Sequence, residues 1–278
     1  MTITLKVIAV IALAYGALLG LVFWYQPKLV YFPMKGDYTI TPRSMGLAFE
    51  PVTLPTADGE QLAAWWVPAS AAAAVTVQGT VLLFHGNAGN ISHRIDYAKM
   101  FHDLGYNTLL VDYRGYGNST GEPSEQGTYR DAAASWQWLT ATRGIKASDI
   151  VIFGESLGGG VAAWLATQHA PRALILASTF SSIPDLGAQV YPWLPVRWLS
   201  RIHYDNAGHV QKMRVPLLIA HSIDDELIPF AHGKKLFAAA PEPKTFLEMR
   251  GGHNEAFVFA REAWVLAVWR FLQRTRPP

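Results

Sequence analysis

The stretch VIFGESLGGG, Val151 to Gly160, places one serine between glycines directly after an apolar run. The residues DIVIF before the first glycine have β-branched and aromatic strand character. Those after the serine, LGGGVAAWLATQHA, carry small and apolar residues at helical spacing. Ser156 therefore sits at a strand-to-helix turn. Such a turn forces an unfavourable backbone conformation on the residue at its tip and crowds the neighbours, which accounts for Gly154, Gly158 and Gly159 around it. The hydroxyl is left exposed at a helix N-terminus. It gains chemical meaning only with a base to take its proton and a third group to orient that base.

Both partners are expected at strand ends. RGGHNEAF puts His253 in a glycine-flanked loop after the last expected strand, and HSIDDELIP puts Asp224 and Asp225 after the strand before it. Of nine histidines, only His253 combines that element, that side of a sheet and the chain order Ser, Asp, His. A developing oxyanion needs two backbone donors aimed at one point. The amide of Leu157, next after the serine, is one. The other is the amide of Asn87 in LLFHGNAGN, where Gly86 permits the tight turn. His85 in the same stretch reads as a brace that holds the loop by hydrogen bonding.

Strand-like runs recur at 48–54, 61–67, 79–85, 107–113, 149–153, 173–178, 215–221 and 245–249, and helical patterns at 91–104, 129–141, 157–169, 231–239 and 254–273. Two early strands followed by strand–helix alternation imply an α/β fold, a mostly parallel sheet with helices on both faces and ligands beyond the carboxyl ends of its strands. One low-complexity stretch, ASAAAAV, reads as a loop. Between about 178 and 213 lies more chain than a simple crossover requires, TFSSIPDLGAQVYPWLPVRWLSRIHYDNAGHVQKMR. This is a short cap. Trp193, Leu194 and Trp198 are its expected substrate-facing side chains.

From Val7 to Pro27 no residue is charged, and VIAVIALAYGALLGLVFWY is long enough to cross a hydrocarbon core as a helix. The run is longer than the apolar part of a signal peptide and ends in Phe23, Trp24 and Tyr25, as an interfacial aromatic belt does. Residues 1–27 are thus expected to be an uncleaved single-pass membrane anchor, and 28–278 one domain. Lys6 before the helix and Lys28, Lys35 and Arg43 after it do not set its orientation. A net charge of +2 without a basic stripe leaves no nucleic-acid footprint, and the absence of cysteine removes disulfides, thiolate zinc sites and thiol catalysis. GYGNSTG mimics a dinucleotide fingerprint, but EPSEQG follows instead of an immediate helix, so no nucleotide cofactor is expected. No ligand spacing points to a metal.

FHGNAGN, DYRGYGNSTGEPSEQG, GESLGG, HSIDDELIP and GGHNEAF, in that order after an N-terminal anchor, resemble the membrane-anchored serine hydrolases of the α/β-hydrolase superfamily, the serine aminopeptidase-like or abhydrolase-domain proteins. The resemblance runs from about Gln26 to the end. It implies the α/β-hydrolase fold and a catalytic set of Ser156, Asp225 and His253. Asp225 is selected over Asp224 because the acid loop of such proteins reads H-G-x-x-D, with Ser222 here in place of the glycine. It also makes Asp112 and Arg114 a structural, paired turn. The expected activity is hydrolysis of small-molecule carboxylic esters or thioesters, including acyl substrates at a membrane. The alternatives are an aminopeptidase-like amide hydrolase and a non-catalytic tethered binding protein on the same fold.

Overall fold

The structure is a computed structural model and describes residues 3–70, 77–255, 257 and 261–276. Eight strands form one sheet: β1 (Glu50–Pro55), β2 (Gln61–Val67), β3 (Gly79–Phe84), β4 (Tyr106–Val111), β5 (Ile150–Glu155), β6 (Ala173–Ala177), β7 (Leu217–Ser222) and β8 (Lys244–Met249). Their order across the sheet is β1-β2-β4-β3-β5-β6-β7-β8. β2 runs antiparallel to both β1 and β4, and the remaining pairings are parallel. The carboxyl ends of β3, β5, β6, β7 and β8 therefore share one edge.

Why the central strands read as continuous apolar runs is visible in their burial. In β3 every residue is buried, with Leu82 and Phe84 in one core cluster and Val81 and Leu83 in the other. Successive side chains point to opposite faces, so a strand covered on both sides has no polar position to alternate with. One face receives α2 (Ile95–Asp103) and α9 (Arg261–Arg274) through Phe101, Trp264 and Phe271. The other receives α3 (Glu125–Gln137), α4 (Leu157–Gln168), α7 (Asn206–Lys212) and α8 (Ala231–Ala239), through residues such as Trp136, Val161, Val210 and Leu236. Each such side chain contributes about 1.5–3 kcal/mol on burial.

Where the structure departs from the periodicity, side-chain caps explain it. The helix expected from 129 begins at Glu125, because Ser124 accepts a hydrogen bond from the Gly127 amide and starts a polar first turn that an apolar pattern misses. The segment from 178 contains two further helices before α7, namely α5 (Ile183–Val190), capped by Ser182, and α6 (Val196–Leu199). Residues 71–75 of the expected ASAAAAV loop, and 256 and 258–260 of the expected last helix, lie outside the described residues.

Among the described residues one helix, α1 (Ile3–Val30) at the N-terminus, is long and apolar enough to cross a membrane. It continues through Pro27 rather than ending there. Beyond it a short unforeseen parallel pairing joins Phe32–Pro33 to Ala88–Gly89, tying the chain after α1 to the loop that follows β3.

Candidate active site

Ser156 stands between the last residue of β5 and the first of α4 with φ 53° and ψ −118°, a region that L-residues avoid. The neighbouring glycines make this turn possible. A Cβ on Gly158 would lie 2.2 Å from the Phe84 carbonyl oxygen, and one on Gly154 would lie 2.4 Å from the Gly158 carbonyl oxygen. Two hydrogen bonds hold the strained residue: its amide donates to the Ala177 carbonyl at 2.9 Å, and Thr179 Oγ1 donates to its carbonyl at 2.6 Å.

Two loops from the same edge of the sheet meet the serine. His253 Nε2 lies 3.2 Å from Ser156 Oγ, and His253 Nδ1 lies 2.8 Å from Asp225 Oδ2. An ionised carboxylate only accepts, so Nδ1 carries the proton and Nε2 is left to accept from the serine hydroxyl. Asp225 Oδ1 also accepts from the amides of Leu227 and Ile228 at 3.0 and 2.8 Å. Burial pushes the Asp225 carboxyl up, but the hydrogen bonds from His253 and the Ile228 amide outweigh it and hold the group below the ordinary aspartate range. Asp224 points elsewhere. It is exposed, accepts from the Gly251 amide at 3.2 Å and lies 3.5 Å from Arg250.

Sequence reasoning missed the residues that position these loops. Glu226 Oε2 accepts from the His253 amide at 2.9 Å. Ser222, standing where resembling chains have glycine, donates from Oγ to the Gly251 carbonyl at 2.5 Å and accepts from the Asp224 amide at 3.1 Å. Its hydroxyl thus bridges the acid loop and the histidine loop. Directly beside the serine, Glu155 is ion-paired with Arg94 out of bulk water. The three consecutive acids at 224–226 were the one available signal for Glu226.

Gly86, Asn87 and Leu157 line the same cavity as Ser156 and His253. The carbonyl of Asn87 accepts from the Phe32 amide at 2.9 Å and from Tyr116 Oη at 2.8 Å, while its side chain donates to the Val30 carbonyl at 3.0 Å. Among the described residues the Asn87 amide has no hydrogen-bond acceptor, and that of Leu157, first in its helix, has none within the helix. His85 Nδ1 sits 2.7 Å from the Gly86 carbonyl, as a loop brace does.

The expected pairing of Asp112 with Arg114 does not form. Asp112 accepts from Tyr38 Oη and the Ile91 amide, whereas Arg114 reaches Asp58 and Asp131. Each carboxylate or guanidinium is taken up by those other partners instead. Among the described residues no cluster of three or more His, Cys, Asp or Glu side chains is arranged to hold a metal ion.

A cavity of about 360 Å³ opens beside Ser156 and His253, within the range of small-molecule sites. Its cap wall includes Leu186, Val190, Tyr191 and Leu194. The other two cap residues expected there are corrected by the structure. Trp193 is 58 % exposed and Trp198 is 93 % exposed, and neither lines the cavity. α6 is a single turn that directs Val196 and Leu199 inward, so Trp198 between them must face out.

A strained serine after the fifth strand, an acid after the seventh and a histidine after the eighth, on a sheet of this order, define the α/β-hydrolase class of fold. A family model described as alpha/beta hydrolase fold matches residues 79–241, and the chain belongs to that family. It is 37% identical over 272 residues to an uncharacterized protein of Mycobacterium tuberculosis (strain CDC 1551 / Oshkosh), covering 98% of this chain and 95% of that one. To the lysophosphatidylserine lipase ABHD12 of Macaca fascicularis it is 33% identical over 215 residues, 68% of this chain and 54% of that protein. The solved structure of the Pyrococcus furiosus esterase Pf2001 superposes with a TM-score of 0.73 at 20% identity, over 89% of this chain and 98% of that one, a likeness of fold.

Proposed function

We propose that this protein is a membrane-anchored serine hydrolase that cleaves carboxylic esters or thioesters of acyl substrates through an acyl-enzyme. Residues 1–27 serve as the anchor, 28–278 as the catalytic domain and 178–213 as its cap. The observation that carries the reading is the unbroken hydrogen-bonded chain Ser156–His253–Asp225 at the floor of a largely apolar cavity. Membership of a hydrolase family and the lipase named among the relatives support it.

In this mechanism Ser156 Oγ attacks the carbonyl carbon while its proton passes to His253 Nε2. Asp225 holds the imidazole in the productive tautomer and stabilises the imidazolium. The carbonyl oxygen, now negative, receives the amides of Asn87 and Leu157. A missing donor at such a site typically costs about 2.7–4 kcal/mol of transition-state stabilisation. Collapse breaks the carbon–oxygen or carbon–sulfur bond. The leaving alkoxide, or thiolate, takes the proton from Nε2, which restores the neutral imidazole, and the acyl group stays on Ser156. Water then gives its proton to Nε2 and attacks the acyl carbon; collapse breaks the carbon–Oγ bond, Nε2 returns the proton to Ser156, and the acid is released.

Labelling of the purified full-length protein by a fluorophosphonate probe tests the reading, since the probe traps only an activated serine. Labelling of wild type but not of Ser156→Ala is the expected result. Equal labelling of both removes Ser156 from the role, and labelling of neither leaves a tethered binding protein.

A further inference from the structure

Four α1 residues, Val22, Gln26, Leu29 and Val30, line the cavity that contains Ser156. We infer that α1 is a wall of the acyl-chain site as well as an anchor: an acyl chain with its carbonyl at Ser156 lies between α1 and the cap, having entered sideways from the bilayer. This rests on the hydrolase and anchor readings above.

Most of α1 is exposed, and Leu19, Val22, Gln26 and Val30 are its residues drawn at least partly out of solvent. Their spacing of three, four and four is one stripe along a helix, and it faces the cap. Gln26 fixes the contact. It is buried, its Nε2 donates to the Leu199 carbonyl at 2.8 Å, and its Oε1 accepts from the Arg201 amide at 2.7 Å. An amide side chain within the uncharged run of this helix thereby satisfies cap backbone groups that would be costly to leave unpaired. Four residues on, the Val30 carbonyl accepts from the Asn87 side chain, so the same helix also braces the loop that supplies an oxyanion donor.

The level of the contact tells what covers the outer surface of the cap. Tyr15 Oη donates to the Trp193 carbonyl at 2.8 Å. Tyr15 lies near the middle of the uncharged run from Val7 to Pro27. At 1.5 Å per residue it stands about 16 Å farther along the helix than Gln26. If α1 spans the bilayer, the Trp193 loop reaches into it beside the helix. Val190, Tyr191, Trp193 and Trp198 are all exposed and form an apolar and aromatic surface on this part of the cap. Lipid is the solvent that suits it. A chain leaving that lipid passes between cap and helix to reach the serine without crossing water.

The test uses the full chain in lipid nanodiscs and p-nitrophenyl esters from acetate to dodecanoate. Val22→Trp fills the cavity from the helix side and is expected to lower kcat/KM for dodecanoate tenfold or more relative to acetate. Val22→Ala moves the optimum toward longer chains, which keeps the test readable if the larger residue disturbs folding. Leu21→Trp, one residue along on an exposed face, retains the wild-type profile. Unchanged profiles for both Val22 variants, or an equal shift from Leu21→Trp, overturn α1 as a wall. Wild type that hydrolyses no ester overturns the hydrolase reading instead. Because the chain has no cysteine, Trp198→Cys carries a single nitroxide label. Greater accessibility to oxygen than to a water-soluble nickel chelate is expected, and the reverse places the cap in water and overturns entry from the bilayer.

Discussion

The turn at Ser156 and the cap above it lie across one cavity from each other, yet residue identity means different things in the two places. At the turn, a Cβ on Gly154 or Gly158 would meet backbone at distances no side chain survives, so sequence and geometry determine each other. In the cap, a one-turn α6 carries alternately inward and outward apolar residues, and being aromatic says nothing about which way Trp198 points. Close packing makes a residue interpretable; a thin layer with a cavity on one side and exposed apolar residues on the other does not.

Breaking the floor of the site is expected to have the largest effect. Ser156→Ala and His253→Ala should each lower kcat/KM on order of 10⁴-fold or more, and the double variant should lose little further, because both disrupt one proton-coupled step. Steady-state ester hydrolysis with circular dichroism as a folding control measures this. Independent, multiplying losses would mean the two residues do not act as a unit.

The adjacent acids come next. Asp225→Asn should cost roughly 10⁴-fold in kcat, because a neutral amide favours the wrong imidazole tautomer. Asp224→Asn should stay within about tenfold, since the Asp224 side chain pairs with the exposed Arg250 and the Gly251 amide and not with His253. The opposite ranking in the same assay would move the role to Asp224.

Gly158→Ala sharpens the packing side of the comparison. Its Cβ would press on the Phe84 carbonyl, and the strand or helix must shift to admit it. A loss of about 3 kcal/mol in denaturant unfolding is expected. A neutral result would mean that the turn has slack. Across the cavity the effects shrink. Leu194→Ala should weaken long-chain esters several-fold, while Trp198→Ala should leave the relative rates along the ester series within about twofold. If Trp198→Ala alone flattens the chain-length preference, the outward placement of that ring is wrong for the enzyme in action.

How much was legible follows the same division. The eight strands of the sheet and the turn between β5 and α4 could be read from short-range pattern, because strands buried on both faces must be apolar throughout and a serine between crowded glycines has one kind of home. Ser156, Asp225 and His253 could be named as candidates because parallel strands deliver their loops to one edge in a fixed order. Glu226 under the histidine loop, Arg94 against Glu155, and the two-sided clamp of Gln26 on the cap left almost no trace in the sequence. Each joins residues 27 to 175 positions apart, through polar groups that many alternative pairings would satisfy equally well. The sequence by itself determined the periodicities, the chain order of the candidate residues and an N-terminal run apolar enough to span a bilayer. Only the tertiary structure decided that this helix lies against the cap, that Leu194 faces inward while Trp193 and Trp198 face outward, and that Asn87 is braced by Val30. Those outcomes depend on which surfaces meet, and local chain preferences do not encode that.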